Sequence, residues 1–173
     1  DMLLKVETEI KLLDNVHDLA ITLANQGADL LLETLFKLEQ QVITPTPQDN
    51  NQASYARLID KTDFALDWSK SAIAIHNQVR GFFPNCYATL ADQKLKISAT
   101  VPITPDTIND LPTEYDSIKQ EYDELASLAG KPGEIVKNVK NHGAIVQTGS
   151  GLLLLKQVQL AGKRPQSGWD FVN

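Results

Sequence analysis

Imidazoles, thiols and paired carboxylates are the groups with which a chain of this kind does acid–base, nucleophilic or metal chemistry, and their spacing here argues against each. His17, His76 and His142 fall on different expected elements, with no ligand-like spacing and no local Cys-His or Ser-His-Asp set, so capping, packing or surface roles are expected. The single cysteine, Cys86, has no partner for a disulfide or a thiolate metal site and no obvious cation to lower its pKa; it reads as a small core hydrophobe in a reducing compartment. Asp67 is expected at a helix entry beside Ser69. The acidic run at 114–124 contains paired carboxylates, whose ordinary reading is a solvated helix face. Thr148-Gly149-Ser150-Gly151 is short and flanked by β-pattern, whereas a phosphate loop opens a helix, so a turn is expected. Trp68 and Trp169 offer faces on which bases stack, with core packing the favoured role.

The cations give the better signal. Lys94 and Lys96 are two apart and therefore share one strand face, while Lys137, Lys140, Lys163 and Arg164 gather at expected strand ends and in the last loop. The formal charge of −6 argues at first sight against nucleic acid, but its distribution matters more than its sum. Residues 1–60 hold four Lys/Arg against ten Asp/Glu, and residues 61–173 are neutral. Within that neutral part, residues 103–130 carry Asp106, Asp110, Glu114, Asp116, Glu121, Asp123 and Glu124 against Lys119 alone, so its other segments carry +6. The sequence describes a basic module with an acidic insertion.

These side chains must be positioned by elements that the patterning suggests. Leu4, Val6 and Ile10 alternate with Lys5, Glu7 and Glu9 as in a half-buried strand over Leu3–Ile10. Asp14 or Asn15 caps a helix carrying Val16, Leu19 and Leu23, Gly27 interrupts it, and a second helical run follows from Leu31 to about Gln41. Thr44-Pro45-Thr46-Pro47 and the polar stretch after it mark a linker over 42–60. A helix is expected from about Lys70 to Arg80 with Ser69 as its cap. Strands are expected at 87–90, 95–101, 134–140, 144–148 and 152–160, with a loop and one helix, about 115–128, inserted between the second and third. Five short strands with glycine turns fit a small antiparallel barrel, and the unalternated Leu152–Leu155 its doubly covered central strand. No apolar run approaches the ~18 residues of a membrane span, and the opening Asp1-Met2-Leu3 reads as the start of a fragment.

Several segments, in order, resemble the methionyl-tRNA formyltransferase family. They are Asp1-Met2-Leu3-Leu4, Gln52-Ala53-Ser54-Tyr55-Ala56, Leu66-Asp67-Trp68-Ser69-Lys70-Ser71-Ala72, Ile75-His76-Asn77, Val79-Arg80-Gly81-Phe82, Pro132-Gly133-Glu134-Ile135, Thr148-Gly149-Ser150-Gly151-Leu152 and Gln159-Leu160-Ala161-Gly162-Lys163-Arg164. The acidic insertion lies outside the resemblance, and Phe83-Pro84-Asn85-Cys86 departs from the Asn-Pro-Trp-Pro of many relatives.

The resemblance implies an α+β chain: residues 1–41 as the end of a Rossmann-like formyltransferase domain, a linker at 42–60, and an OB-like antiparallel β-barrel with a flanking helix at 61–173. It implies transfer of a formyl group from 10-formyltetrahydrofolate to the amino group of methionyl initiator tRNA. The family's catalytic Asn, His and Asp would all precede Asp1, so no catalytic residue is carried over and the chain alone is expected to be inactive. Lys61, Arg80, Lys163 and Arg164 are the expected tRNA phosphate contacts. Initiator methionyl-tRNA is the implied partner, in a monomeric cytoplasmic protein of translation initiation that engages neither DNA nor membrane and holds no metal. Two readings stand beside this one: the barrel region of another folate-dependent formyl transferase or hydrolase, and a non-catalytic module that uses the barrel as a scaffold. The Gln159–Arg164 ending favours the tRNA enzyme.

Overall fold

The computed structural model describes residues 1–173, which divide into two units, Asp1–Ile59 and Asp60–Asn173. In the first, the Asn15 side chain accepts from the backbone amides of His17 and Asp18 at 2.8 and 3.2 Å, while the Asp18 carboxylate accepts from the Asn15 amide. This reciprocal cap satisfies amides that a first turn leaves unpartnered. It starts helix α1, Val16–Glu39, which runs unbroken for 24 residues. The expected division at Gly27 does not occur. Nothing lies within 4 Å of where a Cβ would sit, and the ~1 kcal/mol cost of a mid-helix glycine is too small to end a capped helix of this length.

Leu3–Ile10 is not a strand either. The alternation is present, but a strand needs a neighbour for its hydrogen bonds, and the unit supplies only the antiparallel bridge between Met2 and Thr46, with two backbone bonds of 2.8 Å. No α1 side chain is buried, and Leu31, Leu32, Leu35 and Phe36 are all more than half exposed. Residues 42–59 are irregular apart from a 3-10 turn at Asn50–Gln52 capped by Asp49.

The second unit is an antiparallel sheet with helices. Its strands are β1 (Tyr87–Leu90), β2 (Gln93–Ile103), β3 (Ile135–Val139), β4 (Gly143–Gln147), β5 (Leu152–Leu160) and β6 (Gln166–Ser167). They run in the order β1-β2-β5-β4-β3, with β6 beside β5. No ladder joins β1 to β3, so the sheet is an open path with β5 at its centre. Leu152, Leu153, Leu154 and Leu155 are all buried there, covered on both faces. Helix α2, Ala72–Gly81, begins two residues later than expected, because Ser71 is the cap and accepts from Ala74 N at 3.3 Å. Asp67 instead accepts from the amide and hydroxyl of Ser69, at 3.0 and 2.6 Å, closing a turn ahead of the helix. Those bonds hold its carboxyl below its usual range.

Ala72, Ile75 and Val79 bury one face of α2 against Cys86, Ala88, Leu95, Ile97, Leu153 and Val158. Each large aliphatic side chain buried this way is worth about 1.5–3 kcal/mol. Trp68 packs on the rim of this cluster, and the Thr148–Gly151 segment is a turn, as its length suggests. A Cβ on Gly149 would lie 1.8 Å from the Ser69 carbonyl oxygen, so only glycine fits there. The C-terminal helix α5, Gly168–Val172, begins at an equally tight approach, Gly168 against the carbonyl of Leu155.

Between β2 and β3 the acidic insertion folds as two short helices, α3 (Asp116–Gln120) and α4 (Tyr122–Ala126), where one was expected. The chain leaves helical geometry at Glu121, φ −91 and ψ 8. The break lets Tyr115, Ile118 and Leu125 all turn inward, each at most 1% exposed.

Candidate nucleic-acid interface

The outer side of the β1–β2 hairpin collects polar side chains. Its turn has two central residues, Ala91 and Asp92, with φ of 46° and 63°, a pairing that matches the natural twist of two antiparallel strands. The tight turn fixes the register: Thr89 opposes Lys94, and Tyr87 opposes Lys96, which faces Gln159 of β5 on its other flank. Opposed residues share a face, so Tyr87, Thr89, Lys94, Lys96 and Gln159 point one way while Ala88, Leu95, Ile97 and Val158 point into the core. The Lys94 ammonium sits 3.6 Å from the centre of the Tyr87 ring. A bulge between Ile97 and Thr100 turns β2 away beyond this patch.

Short hydrogen-bond links tie the segments that carry Lys61, Lys163 and Arg164 to this hairpin, whereas Arg80 is carried by α2, which packs on its core face. Lys163 and Arg164 follow the turn that closes β5. The Ala161 amide donates to Lys94 O at 3.2 Å, and the Gln159 side chain donates to Lys163 O at 2.7 Å, so this turn abuts the Lys94 end of β2. Lys61 opens the 3-10 turn Lys61–Phe64, capped by Asp60, and the chain then meets the outer edge of β1, where Leu66 N donates to Tyr87 O at 2.9 Å. Gln78 of α2 donates to the carbonyls of Asp63 and Ala65 and ties the same turn to the helix that carries Arg80. Arg80 lies in the last turn of α2, where its Nε donates to Asn77 Oδ1 at 2.8 Å.

Lys137 does not belong to this surface, contrary to the grouping by strand ends. Its ammonium is 2.9 Å from Oε2 of Glu121 and 2.9 Å from Oε1 of Glu124, and the hydrogen bonds it donates to these two carboxylates raise its pKa. Lys156 is likewise 2.9 Å from Oε1 of Glu114, whose pKa it lowers. The carboxylates of the 114–124 run are therefore not merely solvated. Tyr87 and Gln159 were not among the expected residues. The signal for them was the hairpin: a two-residue turn at Ala91-Asp92, rather than a three-residue one, puts Tyr87 opposite Lys96.

A family profile described as formyl transferase, C-terminal domain, matches residues 58–173. The chain belongs to this family. Proteins called methionyl-tRNA formyltransferase are similar to it along its whole length: that of Trichormus variabilis is 56% identical over 172 residues and that of Nostoc sp. 55%, each covering 99% of this chain. The chain spans about half the length of these curated relatives, 52% and 50%. In solved structures the fold recurs in HypX from Aquifex aeolicus. One variant has a TM-score of 0.60 at 12% identity over 96% of this chain and 27% of its own, and the form in complex with tetrahydrofolic acid has 0.53 at 13% identity over 84% and 22%.

The remaining chemistry-bearing groups of this formyl transferase C-terminal domain serve its packing. His76 is buried, with Nδ1 3.0 Å from Thr100 Oγ1, and His142 Nε2 lies 3.2 Å from Ser117 Oγ beside the Tyr115 ring. Cys86 is fully buried with its thiol toward Gln78 O at 3.4 Å, and burial pushes its pKa up to about 11. No three His, Cys, Asp or Glu side chains gather as a metal cluster, and no helix is long and apolar enough to cross a membrane.

Proposed function

We propose that this chain is the C-terminal part of an enzyme that transfers a formyl group from 10-formyltetrahydrofolate to the amino group of methionyl initiator tRNA, and that its own share is to bind the tRNA. The observation that carries this is the 55–56% identity, over 99% of the chain, to proteins called methionyl-tRNA formyltransferase. The fold shared with a protein crystallised with tetrahydrofolic acid is in keeping with a folate donor. In this reading residues 1–41 close a Rossmann-like domain, 42–60 link, and the sheet of 61–173 is an OB-like barrel, a fold that is often only partly closed. The catalytic Asn, His and Asp belong to the rest of the enzyme, a cytoplasmic monomer.

Lys61, Arg80, Lys163 and Arg164 would neutralise backbone phosphates. Such contacts place the tRNA without reading its sequence, and each releases counterions, steepening the log–log salt dependence by up to about 0.9. Filter binding of the 173-residue chain at low salt is the test. Saturable, salt-sensitive binding of tRNA that persists against an acidic competitor such as heparin is expected, and equal displacement by heparin would sink the reading. The chain alone should formylate no methionyl-tRNA; turnover above background would place catalytic groups within residues 1–173.

A further inference from the structure

Four lysines lie within strands of the second unit, and they fall into two classes. Lys94 and Lys96 of β2 make no ion pair, whereas Lys137 of β3 and Lys156 of β5 are both held by carboxylates of the insertion between β2 and β3. The pairings are long-range: Glu124 and Glu121 are 13 and 16 residues from Lys137, and Glu114 is 42 from Lys156.

The acids cannot readily swing away, because the insertion is anchored from within. Ile108, Leu111, Tyr115, Ile118 and Leu125 are buried, and at its start Thr107 Oγ1 donates to Pro102 O at 3.0 Å. Exposed ion pairs of this kind add little to stability. Their effect is on the field outside. Residues 103–130 carry −6, and the two captured lysines leave −4 on that side. A phosphate backbone within a Debye length, about 8–10 Å at ordinary salt, is repelled there and attracted on the β1–β2 side.

We propose that the acidic insertion is a specificity device: by occupying Lys137 and Lys156 and leaving net negative charge over β3 and the middle of β5, it confines RNA to the β1–β2 hairpin that carries Tyr87, Lys94 and Lys96. The inference rests on the tRNA-binding reading and adds to it which end of the sheet is used and what closes the rest.

Fluorescence anisotropy of labelled tRNA with the 173-residue chain, titrated at several salt concentrations, tests it. K94Q/K96Q weakens binding on the order of tenfold and flattens the salt slope by up to about two contacts, roughly 1.8. K137Q/K156Q changes affinity less than about twofold, since those charges are already taken. E114Q/E121Q/E124Q, checked by circular dichroism for retained folding, tightens binding and steepens the slope as two lysines are released. If K137Q/K156Q weakens binding as much as K94Q/K96Q, the insertion does not close that side. An unchanged affinity and slope in a folded triple variant overturns the proposal equally. If the unmodified chain binds no tRNA, the functional reading itself fails, an outcome distinct from these two.

Discussion

The Lys94 ammonium lies 3.6 Å from the centre of the Tyr87 ring, across the β1–β2 ladder, and so covers one face of the only aromatic side chain in that hairpin. Tyr87 therefore acts largely through Lys94, by holding its charge in place. In a double-mutant cycle of Y87L and K94Q, the coupling in unfolding free energy is expected to be about 0.5–1 kcal/mol, the range for an exposed cation–π pair. Y87F, which keeps the ring, should leave tRNA affinity unchanged; a loss as large as that of K94Q would mean the hydroxyl itself is a contact.

Burial of the Cys86 thiol has a pH signature. The fold favours the neutral form, so the folded pKa, about 11, lies above the unfolded value of roughly 8.5. The stabilisation is complete below the unfolded value and is lost as pH rises through the folded one. Across that window urea unfolding of the unmodified chain should lose about 1.4 kcal/mol per pH unit relative to Cys86→Ala. A difference between the two proteins that stays constant with pH would show that the thiol ionises freely.

Two glycines in one unit should respond in opposite ways to the same change. A Cβ on Gly149 would meet the Ser69 carbonyl oxygen at 1.8 Å and force apart the turn at residues 68–70, to which the Gly149 amide donates. Gly149→Ala should cost about 3 kcal/mol or more. Gly81, at the end of α2 with nothing within 4 Å, should accept alanine with a gain of up to about 1 kcal/mol. Denaturant midpoints of the two variants check both signs.

Ile118 is fully buried beneath the acidic helices. Ile118→Ala should destabilise the second unit by about 2–5 kcal/mol. Asp123→Asn, on the exposed side of α4, should stay within about 0.5 kcal/mol. Equal effects in urea unfolding would mean that charge, not the apolar underside, holds the insertion down.

What could be read in the sequence follows from the range of each interaction. The β1–β2–β5 strands and the shared face of Lys94 and Lys96 were legible, because alternation over a few residues decides them locally. The capture of Lys137 was not, since its partners stand on a separate element and spacing carries no trace of the approach. Gly27 misled because a glycine is a cost and not a stop: with Asn15 and Asp18 closing the N-terminus, α1 tolerates it. Leu3–Ile10 misled for another reason, as alternation reports which face would be buried but not whether a neighbouring strand is there to pair. The cap at Ser71 rather than Ser69 turned on Asp67, which draws Ser69 into a turn of its own.

The unburied side chains of α1 bear on how heat is taken up. A 24-residue helix held by its cap and the Glu33–Lys37 pair, with only a half-buried stripe at Leu19, Gln26, Leu30 and Thr34 and no fully buried side chain, gains little from melting in step with its surroundings. The first unit should fray gradually, and the cooperative endotherm of this chain should belong to residues 60–173 alone. At ~0.7 kcal/mol per residue that is an unfolding enthalpy near 80 kcal/mol, where the full chain would give about 120. A calorimeter reading the smaller figure, with far-ultraviolet ellipticity lost steadily before the peak, would record the larger unit of the polypeptide melting as a solid and the smaller loosening as a coil does.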